Sequence, residues 1–239
     1  MESLDVLAIV AHPDDAEISA GGTLLKLIAD GRRCGVVDMT RGELGTRGTA
    51  ITRDEEAAEA SRRMGLAVRE NLGLADGFFR DDEATQRRII EAIRAWRPQV
   101  VITNAPSDRH PDHGRAGRMV AEACFYAGLP KIETSRNGSI QQAWRPKNVF
   151  HMIQDYYHQP DFVIDVKPFW EKKMEVLRSY KTQFYDPSSN EPTTPISGQE
   201  FFDYLHARCT DFGRPAGYEL AEGFLHSRLS GVQDFFVFD

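Results

Sequence analysis

Residues Val6 to Glu17 constrain this chain more than any other stretch. An apolar, β-branched run from Val6 to Val10 ends abruptly in His12-Pro13-Asp14-Asp15, and a helix-like run from Ala20 to Ala29 follows. Such a run closed by a proline turn reads as a buried strand that delivers polar side chains to its carboxyl end. A second stretch repeats the design: Val100 to Thr103 leads into Asn104-Ala105-Pro106-Ser107-Asp108-Arg109-His110-Pro111-Asp112-His113. Two strands that each end in a proline-containing, His/Asp-rich loop can converge on one point if they are neighbours.

The intervening pattern makes them neighbours. Gly21-Gly22 opens a helix, Cys34 to Met39 reads as a strand, and a loop with three glycines runs from Thr40 to Thr49. Thr52, with Glu55 three residues on, predicts a capped helix start. Ala67 to Leu72 reads as a strand, Asp81 to Trp96 as a strongly periodic helix, and Arg115 to Ala127 as the helix after the second loop. This alternation over residues 1–128 predicts an α/β, Rossmann-like, doubly wound and mostly parallel sheet with helices on both faces. In the common 3-2-1-4-5 order, strands one and four flank the switch-point crevice where such sheets bind ligands.

Beyond residue 129 the pattern weakens. Residues 129–147 read as a polar loop or hairpin covering the site. Strands are expected at Val149–Ile153 and Phe162–Val166, helices at Pro168–Tyr180 and Phe201–Cys209. Residues 186–198, rich in Pro, Ser, Thr and Asn, read as a mobile loop. The tail from Leu220 to Phe238 is too apolar for a free terminus, so it is expected to dock on the core or a neighbouring subunit. No repeat or boundary interrupts the chain, which reads as one domain over residues 1–239.

Composition removes several classes of function. A net charge of −7 is poor for binding phosphate backbones, so no nucleic-acid partner is expected. No apolar run approaches the ~20 residues of a membrane span, and no basic segment precedes the first strand, so neither a membrane nor a secretory leader is expected. Cys34, Cys124 and Cys209 are odd in number and form no CxxC pair, which favours buried thiols in a reducing, cytoplasmic compartment.

The loops carry the chemistry. Catalytic zinc takes three nitrogen or oxygen ligands and leaves a position for water. His12 and Asp15 lie three apart on one loop, and His113 on the other completes a His₂Asp set. Asp14 should diverge from Asp15 and stay free as a general base. His110 suits a protonated imidazole that stabilises an oxyanion or protonates a leaving amine, and Asp112 could orient His110 or His113. Plainer readings exist: HPDD as a turn whose aspartates cap a helix, and Arg53 as a solvated arginine at a helix start. The Gly42–Gly48 loop lacks GxGxxG spacing and does not follow strand one, which disfavours a dinucleotide site.

The motifs Ala11-His12-Pro13-Asp14-Asp15-Ala16-Glu17, Gly21-Gly22-Thr23, Thr40-Arg41-Gly42-Glu43-Leu44-Gly45-Thr46 and His110-Pro111-Asp112-His113 resemble those of the PIG-L/LmbE-like zinc N-deacetylases. Ala221-Glu222-Gly223-Phe224 and the overall length resemble the bacillithiol branch, which deacetylates N-acetylglucosaminyl-malate. The resemblance implies zinc on His12, Asp15 and His113, Asp14 as general base, and His110 steadying the oxyanion. It also implies Arg53 and Asp76 on sugar hydroxyls, and a hexamer. Arg109 is added here as a partner for malate carboxylates, since guanidinium–carboxylate pairing is bidentate. Iron(II) would accept the same ligands. The expected activity is metal-dependent removal of acetyl from a glucosamine glycoside. Rival readings are deacetylation of a chitooligosaccharide or other N-acetyl glycan, amide cleavage of a thiol-sugar conjugate, and a metal-bound glycan-binding protein without turnover.

Overall fold

A computed structural model describes residues 2–237. In chain order the strands are β1 (Val6–Val10), β2 (Cys34–Thr40), β3 (Val68–Leu74), β4 (Val100–Asn104), β5 (Ser135–Arg136), β6 (Ser139–Ile140), β7 (Asn148–Met152), β8 (Phe162–Asp165) and β9 (Ala221–His226). The helices are α1 (Asp15–Ala29), α2 (Ala50–Met64), α3 (Glu83–Trp96), α4 (Pro111–Ala127), α5 (Trp170–Leu177) and α6 (Gln199–Gly213).

Seven strands form one sheet in the order β3-β2-β1-β4-β7-β9-β8. β1 pairs in parallel with both β2 and β4, as the doubly wound reading requires, and β4 pairs in parallel with β7. Only β9 runs against its neighbours β7 and β8. All five residues of β1 are buried because helices cover both faces. Val6, Ala8 and Val10 point into a cluster with Leu24, Met174 and Leu205, while Leu7 and Ile9 point into another with Ile89, Ile93 and Met119. A strand covered on both sides reads as a continuous apolar run, which is why Val6 to Val10 does not alternate.

Element ends differ from the sequence reading in informative ways. α1 begins at Asp15, inside the His/Asp motif, and Gly21-Gly22 lies in its middle. A Cβ on Gly22 would come within 2.6 Å of Val166 Cβ, so this glycine permits close packing rather than opening a helix. The N-cap of α2 is Thr49, with Thr52 as its reciprocal partner three residues on, so the capping box sits one motif earlier than expected. α4 begins at Pro111 with His110 as its N-cap, because proline suits the first helical position.

Two expectations for the second half need correction, and a third does so only in its first alternative, docking on the core. Residues 129–147 do not cover the site: Arg94 on α3 donates to the carbonyls of Ala127, Leu129 and Ile132, and Trp144 donates to Pro98 O at the amino end of β4. Residues 186–198 are tied in place, since Glu191 pairs with Arg47 and accepts from Gly48 N–H. The tail divides: Ala221–His226 joins the sheet, but Phe235 and Phe236 are 88% and 96% exposed and do not dock on the core. Phe238 lies outside the described residues. Among the described residues no helix is long and apolar enough to cross a membrane.

Candidate active site

The carboxyl ends of β1, β4 and β7 converge on a cleft of about 450 Å³ lined by His12, Asp14, Asp15, Arg53, Asp76, Arg109, His110 and His113, so every predicted site residue reaches it. Asp15 is its most constrained member. Its carboxylate accepts from His12 N–H at 3.0 Å, Asn104 Nδ2 at 3.1 Å and Gln154 Nε2 at 2.8 Å. The same carboxylate faces His12 Nδ1 at 3.6 Å and His113 Nε2 at 3.2 Å. Burial alone would push its pKa up, but the facing histidines, His113 foremost, hold it well below the usual range.

Each histidine is oriented from behind by a carboxylate. Asp108 lies 2.7 Å from His113 Nδ1, which places the proton there and leaves the Nε2 lone pair toward Asp15. His12 Nε2 faces Asp76 at 3.0 Å and Asp112 at 3.3 Å, which leaves Nδ1 toward Asp15. This is the carboxylate–histidine support typical of metal ligands. Asp112 therefore orients His12 rather than His110 or His113, and the orienting residue of His113 is Asp108. Asp76, expected on sugar hydroxyls, has Oδ1 on His12 and accepts from Leu44 N–H with Oδ2.

The electrostatics ask for a cation. Burial lowers the pKa of His12, yet Asp112, Asp15 and Asp76 outweigh it and raise the ring well above its ordinary value. His113 behaves alike: burial lowers it, Asp15 and Asp108 raise it, and it reaches about 9. The buried N/O donors between these rings and Asp15 thus fit a divalent metal. The groups whose donor atoms all lie within 4.8 Å of one another among the described residues are His12, His110 and His113, and His12, Asp76 and Asp112; neither includes Asp15.

Asp14 is built differently. It is the one residue of the loop in the left-handed region, at φ 107°, and it caps α1 without a side-chain cap bond. Burial pushes its carboxyl up to about 7, against the pull of Arg53 3.2 Å away and with a push from Asp15. Arg53 is buried and also donates to Pro13 O, so it is not a solvated arginine; its Nε is buried without a partner.

At His110 burial, then the fields of His12 and His113, lower the pKa of the ring. Its Nδ1 accepts from Asp112 N–H at 3.3 Å, which puts the ring proton on Nε2. Arg109 forms an ion pair with Asp155 at the rim, so its charge is already matched. Asn104, Asp108 and Gln154 went unassigned in the sequence. Asn104 and Asp108 were visible in the second loop, but nothing local marks Gln154 until β7 is placed beside β4.

A doubly wound sheet thus carries a buried histidine–carboxylate cluster at its switch point, with nitrogen and oxygen donors of the kind metal ions take. Residues 7–124 match the family model for PIG-L, GlcNAc-PI de-N-acetylase. The chain is 28% identical over 229 residues to diacetylchitobiose deacetylase of Thermococcus kodakarensis, covering 91% of this chain and 81% of that one. It is 29% identical over 195 residues to a probable N-acetyl-α-D-glucosaminyl L-malate deacetylase 2 of Bacillus subtilis, covering 74% and 82%. Among solved structures, a conserved protein of Thermus thermophilus superposes with a TM-score of 0.85 at 32% identity, covering 96% of this chain and 98% of that one. The chain belongs to the PIG-L family of de-N-acetylases.

Proposed function

We propose that this chain is a zinc-dependent deacetylase of N-acetylglucosamine glycosides, with N-acetylglucosaminyl-malate as its substrate. The observation that carries the deacetylase reading is Asp14: a buried carboxyl raised to about 7, beside a donor set that fits a metal. A general base works best with a pKa near the operating pH, and a pure binding protein has no use for one there. Both named relatives carry N-acetylglucosamine in the substrates of their names, and the malate form follows the Bacillus subtilis relative.

His12, Asp15 and His113 would hold the ion. Zinc there, or iron(II), supplies Lewis-acid polarisation of the acetamide carbonyl and acidifies water. Asp14 takes the proton of the attacking water and later delivers it to the departing amine. His110 offers its Nε2–H to the developing oxyanion, a role that a neutral imidazole fills without losing its proton. Arg53 holds Asp14 in place and has an unpartnered Nε for a sugar hydroxyl. Arg109 can exchange Asp155 for a malate carboxylate at the rim. Exposed Leu229, Phe235 and Phe236 support association into the hexamer implied by the family resemblance.

The test is amine release from N-acetylglucosaminyl-malate, N-acetylglucosamine and a chitooligosaccharide by zinc-reconstituted protein, with Asp14→Asn alongside. Preference for the malate glycoside is expected, with Asp14→Asn keeping its zinc but losing about 10²–10⁴ in kcat. Turnover of the other sugars only would discard malate, and wild-type turnover in Asp14→Asn would discard the base.

A further inference from the structure

A second crevice of about 460 Å³ lies beside the active-site cleft and shares its wall at Gly77 and Phe78. Three arginines line it: Arg80, Arg115 and Arg118. On a chain of net charge −7 this local excess of cations is unusual, and Asp81 is the one carboxylate among the lining residues. Asp81 accepts from Gln86 Nε2.

The arginines are unequally engaged. Arg115 is pinned: its guanidinium lies 4.9 Å from the Phe79 ring centroid and donates to Phe79 O at 3.0 Å and Asp112 at 2.8 Å. Arg118 donates to Pro106 O at 2.8 Å and has no carboxylate partner among the described residues. Arg80 is exposed and makes no hydrogen bond or ion pair among the described residues. The crevice therefore combines one fixed guanidinium with two that make no ion pair among the described residues, Arg80 feeling only the field of nearby Asp82. Guanidinium groups so placed select planar or tetrahedral oxyanions.

We infer that this crevice is an anion subsite that receives a carboxylate or phosphate carried by the aglycone of the glycoside. The inference rests on the deacetylase reading for the sugar and adds where the negative charge goes. Gly77 and Phe78 belong to both cavities, so a group leaving the sugar pocket across Phe78, itself 75% exposed, enters the crevice directly. Arg109, already paired with Asp155, takes one malate carboxylate at the rim, which leaves the second for the crevice. Arg115 also ties the subsite to the centre, since Asp112 accepts from Arg115 with Oδ1 and faces His12 Nε2 with Oδ2.

The test is the double variant Arg80→Ala/Arg118→Ala, both positions being exposed. Metal-loaded enzyme is assayed on N-acetylglucosaminyl-malate, on an N-acetylglucosaminyl phosphodiester and on methyl N-acetylglucosaminide. The expected result is a KM for the charged glycosides raised about tenfold or more relative to the neutral one, with kcat little changed. The anion whose KM rises more is the one the subsite prefers. Equal changes for all three glycosides, or none, would overturn the inference. Calorimetric titration of sodium malate and of inorganic phosphate into metal-loaded protein reads the crevice without turnover. Binding weakened about tenfold in the double variant supports it, and unchanged binding refutes it. Should no glycoside be deacetylated, the activity reading falls and calorimetry still decides the subsite.

Discussion

Lys173 and Glu222 are 1% and 2% exposed, and removing either charge should destabilise the protein severely. Glu222 on β9 accepts from Lys173 Nζ on α5 at 2.7 Å, from Gly22 N–H at 2.9 Å and from Thr23 N–H at 2.8 Å, so one carboxylate joins β9, α5 and the middle of α1. In Lys173→Met the carboxylate keeps two amide donors but loses its counter-charge in a site without water-facing surface. Breaking a buried pair from one side costs about 3–5 kcal/mol, because the remaining ion is uncompensated. For a chain of this size that corresponds to a fall in Tm of about 6–20 °C. Glu222→Gln should cost a similar amount by stranding the ammonium. The double variant Lys173→Met/Glu222→Gln should recover at least ~2 kcal/mol relative to the sum, because neither orphan charge remains.

Urea unfolding of the four proteins at one metal concentration measures this, with the m-value checked for constancy. A cost below about 1 kcal/mol for Lys173→Met, or strict additivity in the cycle, would refute the reasoning and mean that both ions are hydrated or rearrange freely. Catalysis supplies the control. Neither residue lines the cleft, so kcat well below the unfolding transition should stay within a few-fold of wild type.

Two predictions concern α1 and the centre. Gly22→Ala should destabilise by about 1–3 kcal/mol, because its Cβ would meet Val166 Cβ at 2.6 Å, whereas at Gly21 the nearest atom is Lys173 Cγ at an ordinary contact distance of 3.4 Å. Gly21→Ala should be neutral or stabilising by up to ~1 kcal/mol through helix propensity, and thermal melts that rank the two variants the other way would contradict the packing account. Asp108→Ala should weaken zinc binding about 10–100-fold in competition with a chelator, since it removes the group that fixes the Nδ1 proton of His113. Unchanged zinc affinity would mean that Asp108 serves only the backbone N–H groups of Arg109, Asp155 and Tyr156, which it also accepts from.

What the sequence made legible followed physical lines. β1 and β4 were readable because strands buried on both faces must be apolar throughout, and their loops because proline, histidine and aspartate rarely follow such runs without a site. The placement of Glu222 was not readable. An acidic residue in Ala221-Glu222-Gly223-Phe224 has no local partner, and its role exists only once β9 turns antiparallel and meets α1 and α5. The same holds for Arg69, which leaves β3 to donate to Asp38 and Glu17 inside the fold. Helix starts were misplaced where the cap lay inside the functional motif, as at Asp14 and His110. There the residue that starts the helix also lines the site, and only His110 bonds the helix end with its side chain.

Asp14 shows how the two demands are reconciled. At φ 107° and ψ −26° a side chain crowds its own backbone, and such a conformation costs on the order of 1–3 kcal/mol for a residue with a Cβ. Glycine would avoid that cost, yet the position holds a carboxylate that caps nothing. Comparing Asp14→Ala with Asp14→Gly isolates the strain, because both variants lose the carboxyl and both deprive Arg53 of its partner. They differ in one Cβ. Relief of strain favours glycine, while the greater freedom of glycine in the unfolded chain opposes it by about 0.4–1 kcal/mol. The net expectation is that Asp14→Gly is the more stable by about 1 kcal/mol in urea unfolding, with both variants inactive. Equal stabilities, or a more stable alanine variant, would show that the backbone at this position relaxes and stores nothing. The expected order would instead mean that the turn after β1 tolerates strain to hold one buried carboxyl in the cleft.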